Sequence, residues 1–206
     1  VAPYGRFNYV YTTRAETSLS ARERDMLFDT TIFKAGSEKM IVYMKAGTLY
    51  YSPNMDKDKE AVEVDSSIGG FNNVSLSADG KYLYYISDDM RGTFQRAELG
   101  KLKNGSKKNS KYITEIDSGV DSYQLIGEDQ LIYRTYDGRL YLYDGEEEND
   151  IDRDVTDISY VLDDVLYYTT YRNGERVYNY YNLKEEEGDS YARDVDIISH
   201  DWKNKT

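Results

Sequence analysis

A short strand whose third residue is always Tyr recurs four times along the chain, as Ile41-Val42-Tyr43, Leu83-Tyr84-Tyr85, Leu131-Ile132-Tyr133 and Leu166-Tyr167-Tyr168. The spacings between these Tyr are 42, 48 and 35 residues. Self-similarity at this period constrains the fold strongly, because a unit of that size cannot bury its own apolar face and must stack on its neighbours. A second strand follows each of the four after a Gly-containing turn: Gly47-Thr48-Leu49-Tyr50, Gly92-Thr93-Phe94-Gln95, Gly138-Arg139-Leu140-Tyr141 and, one residue longer, Gly174-Glu175-Arg176-Val177-Tyr178. These pairs read as β-hairpins.

Each hairpin leads to an element that is apolar at both ends and polar between, at Val64 to Ile68, Ile116 to Val120, Ile151 to Val155 and, more loosely, Tyr191 to Val195. It reads as an outer strand. Ahead of each hairpin lies an alternating stretch, clearest in Val74-Ser75-Leu76-Ser77 before the Asp79-Gly80 turn. Four strands per unit at this period predict an all-β fold, a β-propeller built of four-stranded antiparallel blades. The template gives a half blade over 1–28, blades over 29–68, 69–120, 121–158 and 159–198, and the start of a further strand over 199–206. About four and a half blades leave a ring open, so the expectation is a fragment of a propeller of about six to eight blades, or closure by another chain.

Composition suits sheets and narrows the partners. The 23 Tyr supply much of the apolar content, and each brings a hydroxyl that needs a partner when buried. A net charge of −12 argues against nucleic acid or an anionic membrane surface as the main partner. The absence of Cys excludes disulfides and thiolate metal sites without choosing a compartment. No apolar run reaches the roughly 18 residues of a membrane span.

The stretch Val74-Ser75-Leu76-Ser77-Ala78-Asp79-Gly80-Lys81-Tyr82-Leu83-Tyr84-Tyr85-Ile86-Ser87-Asp88 resembles the TolB-type propeller repeat, with its inner strand, Asp-Gly-Lys turn and following apolar strand. The other blades replace the turn and, in their Tyr-rich wording, are similar to propeller repeats of surface proteins of Gram-positive anaerobes. The resemblance covers about residues 29 to 198. It implies a propeller outside the cell, at the cell surface or joined to a membrane anchor, and it brings no catalytic motif.

Candidate chemistry is sparse. His200, the only imidazole, stands beside Asp201 and reads as structural or solvated. No Gly-x-Ser-x-Gly elbow, phosphate loop or His-Glu-x-x-His pattern occurs. Two acidic trios, Asp56, Asp58 and Glu60, and Asp150, Asp152 and Asp154, share a face if extended, yet neither matches a calcium loop and both read as charged strand edges. Lys101 to Lys111 holds five Lys without interleaved aromatics and reads as a mobile, solvated loop. No metal or cofactor is expected.

The within-hairpin turns are different, because equivalent turns of successive blades gather at one end of a propeller. Arg91, Tyr136, Tyr171 and Arg172 are the residue types that anchor interfaces, and they form the expected binding surface. The repeated Tyr43, Tyr85, Tyr133 and Tyr168 are expected to pack between blades. The function expected is therefore a non-catalytic binding or scaffold domain for a protein, peptide or glycan. The alternative is the propeller part of a larger peptidase or carbohydrate-active enzyme.

Overall fold

The computed structural model describes residues 30–35, 38–45, 48–52, 61–66, 74–87, 91–104, 109–127 and 129–194. They carry β1 (Thr30–Ala35), β2 (Glu38–Lys45), β3 (Thr48–Ser52), β4 (Val62–Asp65), β5 (Val74–Leu76), β6 (Tyr82–Ser87), β7 (Thr93–Glu98), β8 (Ile113–Asp117), β9 (Val120–Leu125), β10 (Leu131–Thr135), β11 (Leu140–Tyr143), β12 (Glu148–Asp152), β13 (Val155–Leu162), β14 (Val165–Arg172), β15 (Glu175–Asn182) and β16 (Glu187–Arg193). Consecutive strands pair into four sheets of four, each in chain order. Strands pair antiparallel, as β1 does with β2, β6 with β7 and β13 with β14. The fold class is all-β, a β-propeller type built of four-stranded antiparallel blades. Among the described residues the helical content is two short 3-10 turns, Leu99–Lys101 and Asn109–Tyr112. The half blade expected over 1–28 and the strand expected from 199 lie outside the described residues.

Turn chemistry explains the hairpins. Asn173 and Gly174 take φ of 54° and 86° between the paired Arg172 and Glu175, as a two-residue turn with both residues left-handed requires. Asp163 and Asp164 do the same between Leu162 and Val165, at 50° and 64°. In the second blade, the Ser77 hydroxyl donates to Asp79 Oδ1 (2.7 Å) and accepts the Tyr82 N–H (2.9 Å). Those bonds fold the Ala78-Asp79-Gly80 turn.

The element read as an outer strand proves to be two things. In every sheet the pairing of the third and fourth strands skips one residue, and the skipped residues are Val64, Ile116, Ile151 and Tyr191. They are β-bulges, which turn one extra side chain aside and increase the local twist. The closing apolar residue belongs elsewhere: Val120 opens β9 and Val155 opens β13. So Val155 to Ile158, placed within the 121–158 unit, begin the next sheet. Between bulge and new strand the backbone turns left-handed, at Gly119 (φ 73°) and Asp154 (φ 59°). The Val120 N–H then donates to the Gly92 carbonyl (3.0 Å), and the Val155 N–H to that of Gly138 (2.9 Å).

The strands divide between two compact units, one carrying β1 to β8 and the other β9 to β16 from Asp121 onward. In the first, Val42, Leu49, Val64, Leu83, Tyr85 and Ala97 form a buried cluster, extended by Leu99 and Leu102. In the second, Ile132, Leu140, Leu142, Val155, Leu166 and Tyr168 do so.

The repeated Tyr are packing residues, each facing the third strand of its own blade. Tyr43 stacks on Tyr50 at 5.4 Å between ring centroids, and Tyr133 on Tyr141 at 5.0 Å. Tyr133 is fully buried and its O–H donates to Glu148. The buried hydroxyls of Tyr85 and Tyr168 reach a carboxylate closing the preceding blade, Asp65 and Asp152 respectively, the latter at 2.9 Å. Burial, reinforced by that carboxylate, pushes both phenols well above their ordinary range.

Candidate binding site

The register of the fourth blade lays out one face of its sheet in rows. Val177, Asn179 and Tyr181 alternate along β15; Thr170, Tyr168 and Leu166 oppose them on β14, and Arg193, Ser190 and Gly188 on β16. Leu166 and Tyr168 are covered by the apolar residues of the third blade. Towards β15 and β16 the face opens into a cleft of about 450 Å³, walled on the third blade by Ile151 and Asp152.

The residue opposite the repeated Tyr differs between blades, and in the second it is Gln95, which accepts from the Tyr85 hydroxyl at 3.1 Å. In the first and third blades the residue opposite the repeated Tyr is another Tyr, stacked on it; in the fourth the residue opposite Tyr168 is Asn179. A carboxamide does not fill the space of a phenol ring. Buried Asn179 donates through Nδ2 to Thr170 Oγ1 and to the Val177 carbonyl, both at 3.1 Å, which fixes its orientation. Gly188 makes room beside it: a Cβ there would lie 2.6 Å from the Tyr180 carbonyl oxygen and 3.1 Å from Tyr181 Cδ2, so the Tyr181 ring rests against bare backbone.

The charges in the cleft fall into two groups. Asp152 accepts from the Tyr168 hydroxyl and pairs with Arg172, whose guanidinium also donates to the Arg153 carbonyl (2.8 Å) and lies 3.5 Å from Asp154. These residues build the wall. Glu175 and Arg193, by contrast, enter no ion pair among the described residues, and the Asp189 carboxylate accepts only the Ser190 N–H (2.7 Å). The cleft thus presents carboxylate acceptors, guanidinium and amide groups and the rings of Tyr168 and Tyr181 on paired strands.

Of the expected site residues, Arg172 lines this cleft, bound to its wall. Tyr136 and Tyr171 stand 70% and 56% exposed at hairpin ends of the same unit, outside the cleft lining. Arg91 is exposed in the other unit, its carbonyl accepting the Gly119 N–H at 2.6 Å. The trio Asp150, Asp152 and Asp154 does not share a face, because Asp152 ends β12 and Asp154 turns left-handed. Each instead meets an arginine, Asp150 facing Arg153 at 3.5 Å. No group of three metal-ligating side chains occurs among the described residues. Asp56, Asp58, Glu60 and His200 lie outside them.

Two features escaped sequence reasoning. Laying Gly174 to Tyr178 over Gly138 to Tyr141, with one residue added, matches Tyr178 to Tyr141, but the register sets Asn179, the next residue, opposite Tyr168. The lysine segment, expected to be mobile and solvated, has a fixed base. Leu102 and Asn109 are buried, and the Asn109 carboxamide accepts the Lys103 N–H and donates to the Lys103 carbonyl, both at 2.9 Å.

No family model and no curated protein matches the chain. Among solved structures it is similar to a chain of the yeast heterotrimeric Nup82-Nup159-Nup116 nucleoporin complex, at 13% identity over 74% of this chain and 42% of that one, with a TM-score of 0.43. It is similar to a chain of a nidogen/laminin complex at 14% identity over 75% and 61% of the two chains, TM-score 0.40. The third is an oligogalacturonate lyase in complex with manganese, at 14% identity over 77% and 62%, TM-score 0.34. The chain spans 42 to 62% of the length of these chains.

Proposed function

We propose that the chain is a non-catalytic binding domain of the TolB-like, Tyr-rich propeller kind, acting outside the cell, and that it holds a glycan segment in the fourth-blade cleft. The carrying observation is Asn179, which stands where the first and third hairpins put a ring, with Glu175, Arg193, Asp189 and Tyr181 lining the cleft beside it. Carboxylates accept from vicinal sugar hydroxyls, guanidinium and carboxamide donate to them, and a tyrosine ring packs on the apolar face of a pyranose. Rigid strands keep the ordering cost low. Tyr136, Tyr171 and Arg172 at the hairpin ends extend the contact surface, and Arg91 offers the equivalent position in the other unit.

The test is a glycan array followed by calorimetry on the full chain. Asn179→Tyr, which refills the space with a ring facing Tyr168, is expected to abolish binding without loss of stability; Glu175→Ala with Arg193→Ala is expected to weaken it at least tenfold. Binding that survives Asn179→Tyr but fails in Tyr136→Ala with Tyr171→Ala moves the site to the hairpin tips and overturns the cleft reading. A peptide that binds in place of every glycan replaces the ligand class.

A further inference from the structure

The second blade carries a group of cations whose arrangement differs from a solvated loop. Lys101 Nζ lies 5.9 Å and Lys111 Nζ 4.6 Å from the centroid of the Tyr112 ring, so the ring is flanked by two ammonium groups. The Lys111 ammonium also hydrogen-bonds to the Tyr112 phenol, and Lys103 is near enough to add its field there. Together they lower the phenol's affinity for its proton. Lys101 is ion-paired to Glu98 at 2.8 Å, whereas Lys103 and Lys111 enter no ion pair among the described residues. All three Lys are exposed and Tyr112 is half-buried.

The base under these residues is built. Leu99 and Leu102 are anchored in the core of the first unit, and buried Asn109 grips both backbone groups of Lys103 while its Nδ2 also reaches the Glu63 carbonyl at 3.4 Å. The 3-10 turn Asn109–Tyr112 then sets Lys111 and Tyr112 beside that grip. A phenol that accepts from an ammonium becomes a stronger donor through its own O–H. One neutral donor polarised in this way, between a paired and two unpaired ammonium groups, is a set of groups that all donate.

We propose that Lys101, Lys103, Lys111 and Tyr112 form a binding site for a single oxyanion ester, a sulfate or phosphate monoester, separate from the fourth-blade cleft. Tyr112 O–H and the Lys ammonium groups donate to its oxygens, the ammonium groups acting as rotatable point charges. A short ligand is favoured over a long polyanion because the chain carries −12 overall. Screening confines the attraction of the patch to about 8 Å at physiological salt, so phosphates beyond that distance meet a repelling surface.

The experiment is an amide NMR titration of the ¹⁵N-labelled full chain with glucose 6-sulfate, glucose 6-phosphate and glucose. Either ester, or both, is expected to move the Lys103, Asn109 and Tyr112 signals, and which of them does so identifies the source. Lys103→Ala with Lys111→Ala is expected to weaken binding roughly tenfold. Asn109→Ala keeps every cation but removes the grip, and is expected to weaken it a few-fold while amide signals outside 99–114 stay in place. Equal shifts with glucose, unchanged affinity in the double lysine variant, or unchanged affinity in Asn109→Ala overturns the proposal. Tighter binding of a single-stranded oligonucleotide than of either monoester at these residues does so as well.

Discussion

Removing the ring of Tyr133 probes whether the repeated Tyr holds the blades together by packing or by its hydroxyl. The side chain is fully buried and stacked at 5.0 Å on Tyr141, its partner across the β10–β11 ladder. Truncating a buried aromatic to Ala costs about 3–5 kcal/mol, from lost transfer energy and the cavity left behind. About 1 kcal/mol of that belongs to the ring pair. Tyr133→Phe removes only the O–H donated to Glu148, whose exposed carboxylate rehydrates, so its cost is about 1 kcal/mol. The two variants therefore differ by roughly 3 kcal/mol, the contribution of the ring itself. Equilibrium urea unfolding followed by far-UV circular dichroism measures both. With a slope of about 2–3 kcal/mol per molar urea, Tyr133→Ala shifts the midpoint down by more than about 1 M. A cycle with Tyr141→Ala isolates the stack, with a coupling of about 1 kcal/mol. Equal costs for the Phe and Ala variants, or an unmoved midpoint for Ala, refute the packing role.

Gly138→Ala places a side chain at φ 81° with its Cβ 3.3 Å from the Val155 carbonyl oxygen, and a loss of about 1–3 kcal/mol is expected in thermal unfolding. Asp152→Ala removes the acceptor of Tyr168 and the partner of Arg172 and is expected to cost about 2–3 kcal/mol, while Asp150→Ala, facing only exposed Arg153, stays within about 0.5 kcal/mol by the same urea assay. Tyr85 and Tyr168 keep their protons in the folded chain above pH about 10, where the unfolded chain releases them, so stability is fully present below that pH and falls as pH rises beyond it. Each phenol adds a slope of at most about 1.4 kcal/mol per pH unit. Urea midpoints at pH 9 and 11 measure the fall, and Tyr85→Phe with Tyr168→Phe is expected to flatten it.

The strands and their sheets could be read from the chain because their signals are local. Alternation in Val74 to Ser77, Gly at Gly92 and Gly138, and Asn173-Gly174 each act over a few residues. What could not be read depends on pairing across strands. Ile116 and Val120 match the ends of an outer strand in spacing, yet a bulge at the first and a left-handed Gly119 before the second divide them between two sheets. Asn179 was hidden by the same cause, since only the pairing of β14 with β15 shows that it, and not Tyr178, faces Tyr168. Of the expected residues, Arg172, singled out by its turn, lines the cleft. The cleft around it depends on a missing ring, and residue type signals a missing ring only when the register is known.

The bond from Val155 to Gly138 bears on how such a chain can be lengthened, shortened or recombined. A sheet cut out at the edges of its strands leaves the hairpin carbonyl of one repeat, and the opening N–H of the next, facing water. The left-handed residue is the natural crossover point, because its backbone turn and the valine after it travel as one piece. A segment from Gly119 to Arg153 is therefore the exchangeable cassette: it starts with the turn and the donor for the preceding hairpin, and it carries the Gly138 carbonyl that accepts the next donor. Blades exchanged at that seam keep these backbone junction bonds, whatever side chains they bring.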